Sequence, residues 1–546
     1  MAIQVGRASP QDPEVGRDRF DRPIDAKLML AFQGTEMPKH VRSLLAERDV
    51  VGFTLFRFDN VKDAGQVRAL SAELQRASRS ETPLLIAADQ EGGQLLGLGE
   101  DTTPFAGNMA IGAAGDPSLA ERIGRAMGLE MRALGVNVNY APVCDVATNL
   151  ENPGLGIRSF GDDPRRVGQL AAAMVRGLQA EGVAATLKHF PGMGGARTDP
   201  HLELPVIDLD REHLESFDLP PFRAGIDEKA RMVMAGHQAV PSITGRPDVP
   251  ASVSPDVMRV LRGDLGYDGV VITDALDMGS LAQGSDLVVE AIAAVRAGVD
   301  LLLCAGSPAE QERLRSGLSL AASRGLLHGS EMDQSVRRVD ALRQWVASFA
   351  QPDLDVVGST AHRELARELA EQSVTLVRND AGLVPVRLPP DARLAAIMPG
   401  PRDLTPADTS STVAPALAAA LRLRHPRVDE FVTAHPPVAA EIADLRDRVA
   451  SYDLVVVGTI DAFRSAEQGV LVAEIMSTGA PTVVIALRTP HDLMVCPDAA
   501  TYVCTYSVHP TSMEAAVAAL WGEIPFRGRL PAAIPGIYPT GHGLST

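Results

Sequence analysis

Three stretches of this 546-residue chain concentrate groups able to transfer protons or attack carbon. In Leu187-Lys188-His189-Phe190-Pro191-Gly192-Met193-Gly194 an apolar run ends on a cation and an imidazole, then continues through Asp199-Pro200-His201 to Leu204-Pro205. An isolated Lys-His pair at a strand end is ordinarily structural. Here Asp199 and His201 flank a proline that restricts the backbone, so a carboxylate can orient an imidazole, a ring suited to proton transfer near neutrality. In Gly269-Val270-Val271-Ile272-Thr273-Asp274 an apolar run carries a carboxylate at its tip, a position open to a nucleophile. The competing reading of Asp274 is the N-cap of a following helix, and Asp277 reads as structural. In Leu85-Ile86-Ala87-Ala88-Asp89-Gln90-Glu91-Gly92-Gly93 two acids and two glycines end a third run, and glycine lets backbone approach a ligand closely.

These groups need a scaffold. Eight apolar runs of strand length recur: Lys27–Phe32, Gly52–Phe56, Leu84–Asp89, Val136–Pro142, Val183–His189, Ala230–His237, Gly269–Asp274 and Val299–Ala305. Between them, Pro117–Leu134, Pro164–Glu181 and Ser285–Gly298 place apolar residues at helical spacing. Continuous apolar strands alternating with amphipathic helices predict a helix-covered parallel sheet, and eight repeats suit a closed (β/α)8 TIM barrel. An open doubly wound sheet shares the alternation. Arg57, Asp89, Asp145, Lys188, His189, His237 and Asp274 all fall at or just past carboxyl ends of these runs, the face where such barrels keep their chemistry.

The length favours two domains. We expect a polar tail over 1–23, a catalytic barrel over 24–349, a linker and connecting helix over 350–372, and a smaller C-terminal α/β domain over 373–546. A net charge of −18 argues against nucleic acid and anionic lipid as partners. Cys144, Cys304, Cys496 and Cys504 are scattered and read as reduced core residues, with neither a metal cluster nor a nucleotide loop in the sequence. No secretory signal or membrane-length apolar run is present, so a cytoplasmic location follows by default, and no cofactor is expected.

The segments Ala88–Gly93, Asn137-Val138-Asn139-Tyr140-Ala141-Pro142-Val143-Cys144-Asp145, Arg158-Ser159-Phe160-Gly161, Lys188–Gly194, Met234-Ala235-Gly236-His237 and Leu265–Asp274 together resemble glycoside hydrolase family 3, particularly its β-N-acetylglucosaminidase branch. The similarity runs from about Ile24 to the C-terminus. It includes Ser373-Val374-Thr375-Leu376-Val377-Arg378-Asn379 and Gly522–Pro531 of the second domain, for which packing, homodimerisation and partial covering of the pocket are open roles. The resemblance implies a retaining glycosidase removing terminal β-linked N-acetylglucosamine, with peptidoglycan fragment recycling as its setting. Asp274 would be the nucleophile and His201, paired with Asp199, the general acid/base. Asp89, Arg158, Lys188 and His189 would bind sugar hydroxyls, and Met278 would line the pocket.

The chain departs from the family pattern. Met193 and Gly195 replace the usual histidine and aspartate, Pro200 stands where the dyad usually encloses serine, and Gln94 and Gly97 follow Gly93 where two arginines are common. Alternatives are an N-acetylglucosaminide phosphorylase, a β-glucosidase, a catalytically impaired sugar-binding homologue and, ranked lowest, a Schiff-base lyase using Lys188.

Overall fold

The computed structural model describes residues 23–545, so all but the last residue of the expected tail lies outside the described residues. Eight strands, all buried except for the partly exposed Asp274 and Ala275 at the end of the seventh, close into a parallel barrel: β1 (Leu28–Leu30), β2 (Gly52–Thr54), β3 (Leu85–Ala88), β4 (Val138–Asn139), β5 (Ala184–Phe190), β6 (Met232–Ala235), β7 (Val270–Ala275) and β8 (Leu301–Cys304), ordered β1-β8-β7-β6-β5-β4-β3-β2. Closure is made by β1 on β8, with Leu28 opposite Leu302, and by β1 on β2, with Met29 opposite Gly52. Six of the expected runs contain one of these strands, and the other two, Val183–His189 and Gly269–Asp274, fall one residue short of the strand's end.

The runs read as continuous rather than alternating because both faces are buried. Leu85 and Ala87 of β3 fill the barrel interior with Met29, Tyr140, Met232, Ile272 and Leu303, while Ile86 and Ala88 face the helical layer. That layer is built from capped helices. Asp116 caps Pro117–Ala133 and Asp163 caps Pro164–Ala180, each with proline in the first turn, where its missing N–H leaves no bond unmade. The second helix buries Val167, Leu170, Ala171 and Met174.

Beyond the helix Thr360–Ser373 lies a six-stranded mixed sheet: β9 (Thr375–Asn379), β10 (Leu394–Pro399), β11 (Val428–Thr433), β12 (Leu454–Thr459), β13 (Thr482–Ala486) and β14 (Thr501–Cys504). Its order is β9-β14-β13-β12-β10-β11, with β9 antiparallel to β14 and the other pairs parallel. The fold class is therefore the one expected, a TIM barrel followed by a smaller α/β domain. All four cysteines are buried and free, and among the described residues no helix is long and apolar enough to cross a membrane.

Candidate active site

A cavity of about 380 Å³ opens at the carboxyl end of the barrel, lined by Asp89, Arg158, Lys188, His189, His201, Asp274 and Met278 among others. Asp199 is buried behind His201. The structure thus gathers all eight sequence-predicted site residues at one place.

Charge at the cavity floor is compensated pairwise. Lys188 Nζ lies 2.6 Å from both Asp89 Oδ1 and Glu91 Oε1. Arg158 grips Glu91 with Nε and Nη2 at 2.9 and 2.8 Å and donates Nη1 to the Gly154 carbonyl at 2.8 Å. Burial alone would push the Glu91 carboxyl up, but the two cations outweigh it and hold it at about 2. Burial likewise opposes the Lys188 ammonium, and Asp89 and Glu91 override it to raise its pKa. Buried charges persist when paired in this way. Gly97 lets this floor form, since a Cβ there would sit 2.4 Å from the Asp89 carbonyl oxygen.

Histidine orientation comes from buried carboxylates. Asp145 Oδ2 lies 2.7 Å from His189 Nδ1, and its Oδ1 accepts the Met193 N–H at 2.7 Å. Asp199 Oδ1 accepts the backbone N–H of His201 and lies 2.6 Å from its Nδ1. A carboxylate only accepts, so Nδ1 carries the hydrogen in both rings and Nε2 is left for other partners. The loop bearing the dyad is braced from two sides. Asn152 Nδ2 donates to the Met193 carbonyl at 2.7 Å, while the N–H groups of Gly279 and Ser280 donate to the carbonyls of His201 (3.1 Å) and Pro200 (3.2 Å). The last two bonds tie the dyad to the segment following Asp274.

Asp274 is not a helix N-cap. It lies within β7, its Oδ1 accepts the Ala275 N–H at 2.8 Å, and the next helix begins only at Leu287. Burial would raise its pKa, but His189, His237, His201 and the Ala275 N–H together lower it. The wall behind it is fixed by His237, whose Nε2 lies 3.0 Å from the Ala275 carbonyl and whose Nδ1 lies 2.7 Å from Ser252 Oγ. Burial lowers the His237 pKa, consistent with a neutral ring donating from Nε2 to the carbonyl and accepting from the serine at Nδ1. Asp277 lines the cavity, with its carboxyl pushed up by burial and by Asp274.

Family membership follows from comparison with known proteins. The model of the glycosyl hydrolase family 3 N-terminal domain matches residues 24–342. The chain belongs to glycosyl hydrolase family 3. Beta-hexosaminidase A of Pseudoalteromonas piscicida is 36% identical over 382 residues, spanning 65% of this chain and 63% of that protein. A beta-N-acetylglucosaminidase/beta-glucosidase of Cellulomonas fimi is 28% identical over 487 residues, 83% of this chain and 84% of its own. The solved structure of a family 3 beta-N-acetylglucosaminidase from Paenibacillus sp. str. FPU-7 shares 34% identity and a TM-score of 0.88, covering 94% of this chain and 98% of that one.

Within this family 3 chain the second domain reaches the site, which sequence reasoning left open. Pro406, Ala407 and Thr409 line the cavity. Gln94 holds this segment: its carbonyl accepts the Thr409 N–H at 2.7 Å and its Nε2 donates to the Ala407 carbonyl at 3.0 Å. Its Oε1 accepts from Arg488, whose Nη1 meets the buried Asp408 carboxylate at 2.7 Å. Glu91, Asp145 and Tyr140 sit inside the quoted motifs and were legible as polar groups near strand ends. Nothing in the sequence around 406–409 marks it as part of a pocket. Among the described residues no group of three or more His, Cys, Asp and Glu could hold a metal ion.

Proposed function

We propose that this chain is a retaining glycosidase that removes terminal β-linked N-acetylglucosamine. The observation that carries the reading is one cavity presenting an ionisable carboxylate, Asp274, together with an imidazole, His201, held by its own carboxylate partner Asp199. The names of the Pseudoalteromonas and Paenibacillus relatives support the substrate class.

In this reading Asp274 attacks the anomeric carbon while protonated His201 donates from Nε2 to the departing oxygen. The C1–O bond breaks and a covalent glycosyl-enzyme forms. His201, now neutral, takes a proton from water, which displaces Asp274 and restores the original anomeric configuration. Asp199 fixes the tautomer and stabilises the imidazolium, as carboxylates do for catalytic histidines elsewhere. Asp89, Lys188, Arg158 and His189 hold sugar hydroxyls, Glu91 and Asp145 hold those residues in turn, and Met278 supplies an apolar wall. We extend the reading to a cytoplasmic enzyme acting on peptidoglycan fragments, with homodimerisation as a role for the second domain. These three points rest on the sequence and its family resemblance.

The test is release of 4-nitrophenol from its β-N-acetylglucosaminide and β-glucoside by the wild type, Asp274→Asn and His201→Ala, with and without phosphate. Activity on the acetamido sugar alone, abolished by Asp274→Asn, is the expected result. Preference for the glucoside would assign a β-glucosidase, and stimulation by phosphate a phosphorylase. No release from a folded wild type would leave a sugar-binding homologue.

A further inference from the structure

The acid/base dyad sits on a stretch without regular structure, since residues 191–210 form neither helix nor strand. Such a stretch is held in place largely by side chains that reach its backbone. Besides Gly279 and Ser280, a second irregular segment of the barrel, 149–154, reaches it. Asn149 Nδ2 donates to the Ala196 carbonyl and Asn152 Nδ2 to the Met193 carbonyl, each at 2.7 Å. Gly154 lies against the dyad itself, where a Cβ would stand 3.8 Å from Asp199 Oδ1. Part of what holds this brace comes from the second domain. Arg464 Nη2 donates to the carbonyls of Leu150 (2.7 Å) and Asn152 (2.6 Å). The arginine stands on a built turn, Ala462–Arg464, which follows β12. The wholly buried Asp492 accepts the Phe463 N–H at 3.2 Å with one oxygen and the Thr459 hydroxyl at 2.6 Å with the other. The Arg464 guanidinium packs over the Phe463 ring at 5.0 Å, which leaves it less freedom to lose on binding the carbonyls.

We infer that Arg464 is a positioning residue for the acid/base: by gripping Leu150 and Asn152 it holds the brace that sets the loop of Asp199 and His201. The inference rests on the proposed glycosidase reading, in which His201 protonates the departing oxygen, and it gives the second domain a part in that step. A staple between domains needs only some carbonyl on the facing surface. Arg464 takes the carbonyl of Asn152, the residue whose own amide holds Met193, so a shift at one end of Asn152 is passed to the other. Proton transfer runs over hydrogen-bond distances, and a donor displaced by about 1 Å can cost on the order of 10²-fold in rate. The bonds of Arg464 go to Leu150 and Asn152 rather than to Asp274 or a sugar-binding side chain. Its removal therefore weakens proton donation more than attack at the anomeric carbon.

The experiment reads leaving-group dependence. 4-Nitrophenolate departs with little help from a proton, phenolate needs one, and kcat/KM reports the step in which that bond breaks. Wild type, Arg464→Met, Arg464→Lys, Asn152→Ala and the Arg464→Met/Asn152→Ala double variant are assayed on the 4-nitrophenyl and phenyl β-N-acetylglucosaminides. Arg464→Met is expected to lower kcat/KM about tenfold on the phenyl glycoside and by less than about threefold on the nitrophenyl one, with Arg464→Lys recovering most of the loss. Asn152→Ala cuts the same connection and is expected to show the same pattern, so that adding Arg464→Met to it costs no more than about twofold further. Equal losses on the two glycosides, no loss on the phenyl glycoside, or losses that multiply in the double variant would overturn the positioning role while leaving the glycosidase reading intact. A wild type that cleaves neither glycoside would overturn the glycosidase reading and this role with it.

Discussion

A single oxygen of Asp199, Oδ1, accepts the backbone N–H of His201 at 2.9 Å and lies 2.6 Å from its ring Nδ1. The residue between them is Pro200, whose fixed φ suits so short a loop closed on itself. The proline in place of the family's usual serine therefore coexists with a formed dyad. Burial opposes the Asp199 charge, but these two bonds prevail and lower its pKa. Asp199→Asn, which keeps the shape and removes the charge, is expected to reduce kcat by about 10²–10⁴ with the fold retained. Steady-state kinetics beside a thermal melt check this, and a loss below about threefold would contradict the proposed dyad.

Asp274 faces three imidazoles and stays ionised despite its burial. If it forms the glycosyl-enzyme, Asp274→Gly loses about 10⁴ or more in kcat. Added azide then occupies the vacated space and restores turnover. The product would be an α-glycosyl azide, identifiable by its anomeric proton coupling. A β-azide would instead mean that a different group forms the covalent intermediate.

Glu91 contributes stability through Arg158 and Lys188. Its carboxyl stands at about 2 in the folded chain against an ordinary 4.5. A depressed carboxyl stabilises fully above its unfolded value, and the gain is lost as pH falls through its folded one. For this shift it amounts to about 3 kcal/mol at neutral pH. Urea melts of Glu91→Gln should show the wild type clearly more stable near pH 7, with the gap narrowing between about 4.5 and 2. A gap that does not change with pH would assign the loss to packing.

Asp218 is the opposite case. Both carboxyl oxygens are buried without a hydrogen-bond partner among the described residues, His213 Nε2 lies 4.0 Å away, and burial plus Asp145 push the carboxyl to about 7. A raised carboxyl costs nothing below its unfolded value, an increasing amount as pH climbs to its folded one, and a constant amount above. Asp218→Asn should leave Tm unchanged near pH 4 and raise it near pH 8, with an upper bound of about 4 kcal/mol.

Arg488 joins the two domains at the cavity edge. Arg488→Met strands Asp408, whose side chain is wholly buried, and removes the grip on Gln94. Leaving such a charge unpaired typically costs about 3–5 kcal/mol. The expected outcome is a lower Tm together with a raised KM, because Pro406 and Ala407 lose their anchor. A lower Tm with unchanged KM would show that the clamp serves stability alone.

The amino-acid order alone determined the scaffold and most of its chemistry. Eight strand-length apolar runs buried on both faces, each ending near a polar residue, allow little besides a helix-covered parallel sheet, and the motifs around Asp89, Lys188, Asp199-Pro200-His201 and Asp274 named the groups at its rim. These signals are local, since strand, cap and dyad are all written within a few neighbouring positions. The edge strand Val428–Thr433, with two adjacent acids in the middle, gave no such signal; half of it is exposed, so burial left little mark on its composition. Tertiary structure decided everything that depends on distance in space rather than in sequence. It set Glu91 between Arg158 and Lys188, showed Asp274 to lie in a strand rather than at a helix cap, and fastened the dyad to Gly279 and Ser280. It also brought a second-domain segment more than 300 residues away onto Gln94. Hydrogen bonds between such distant groups leave no periodicity in the chain, because which donor meets which acceptor is set by how the barrel and the second sheet come together.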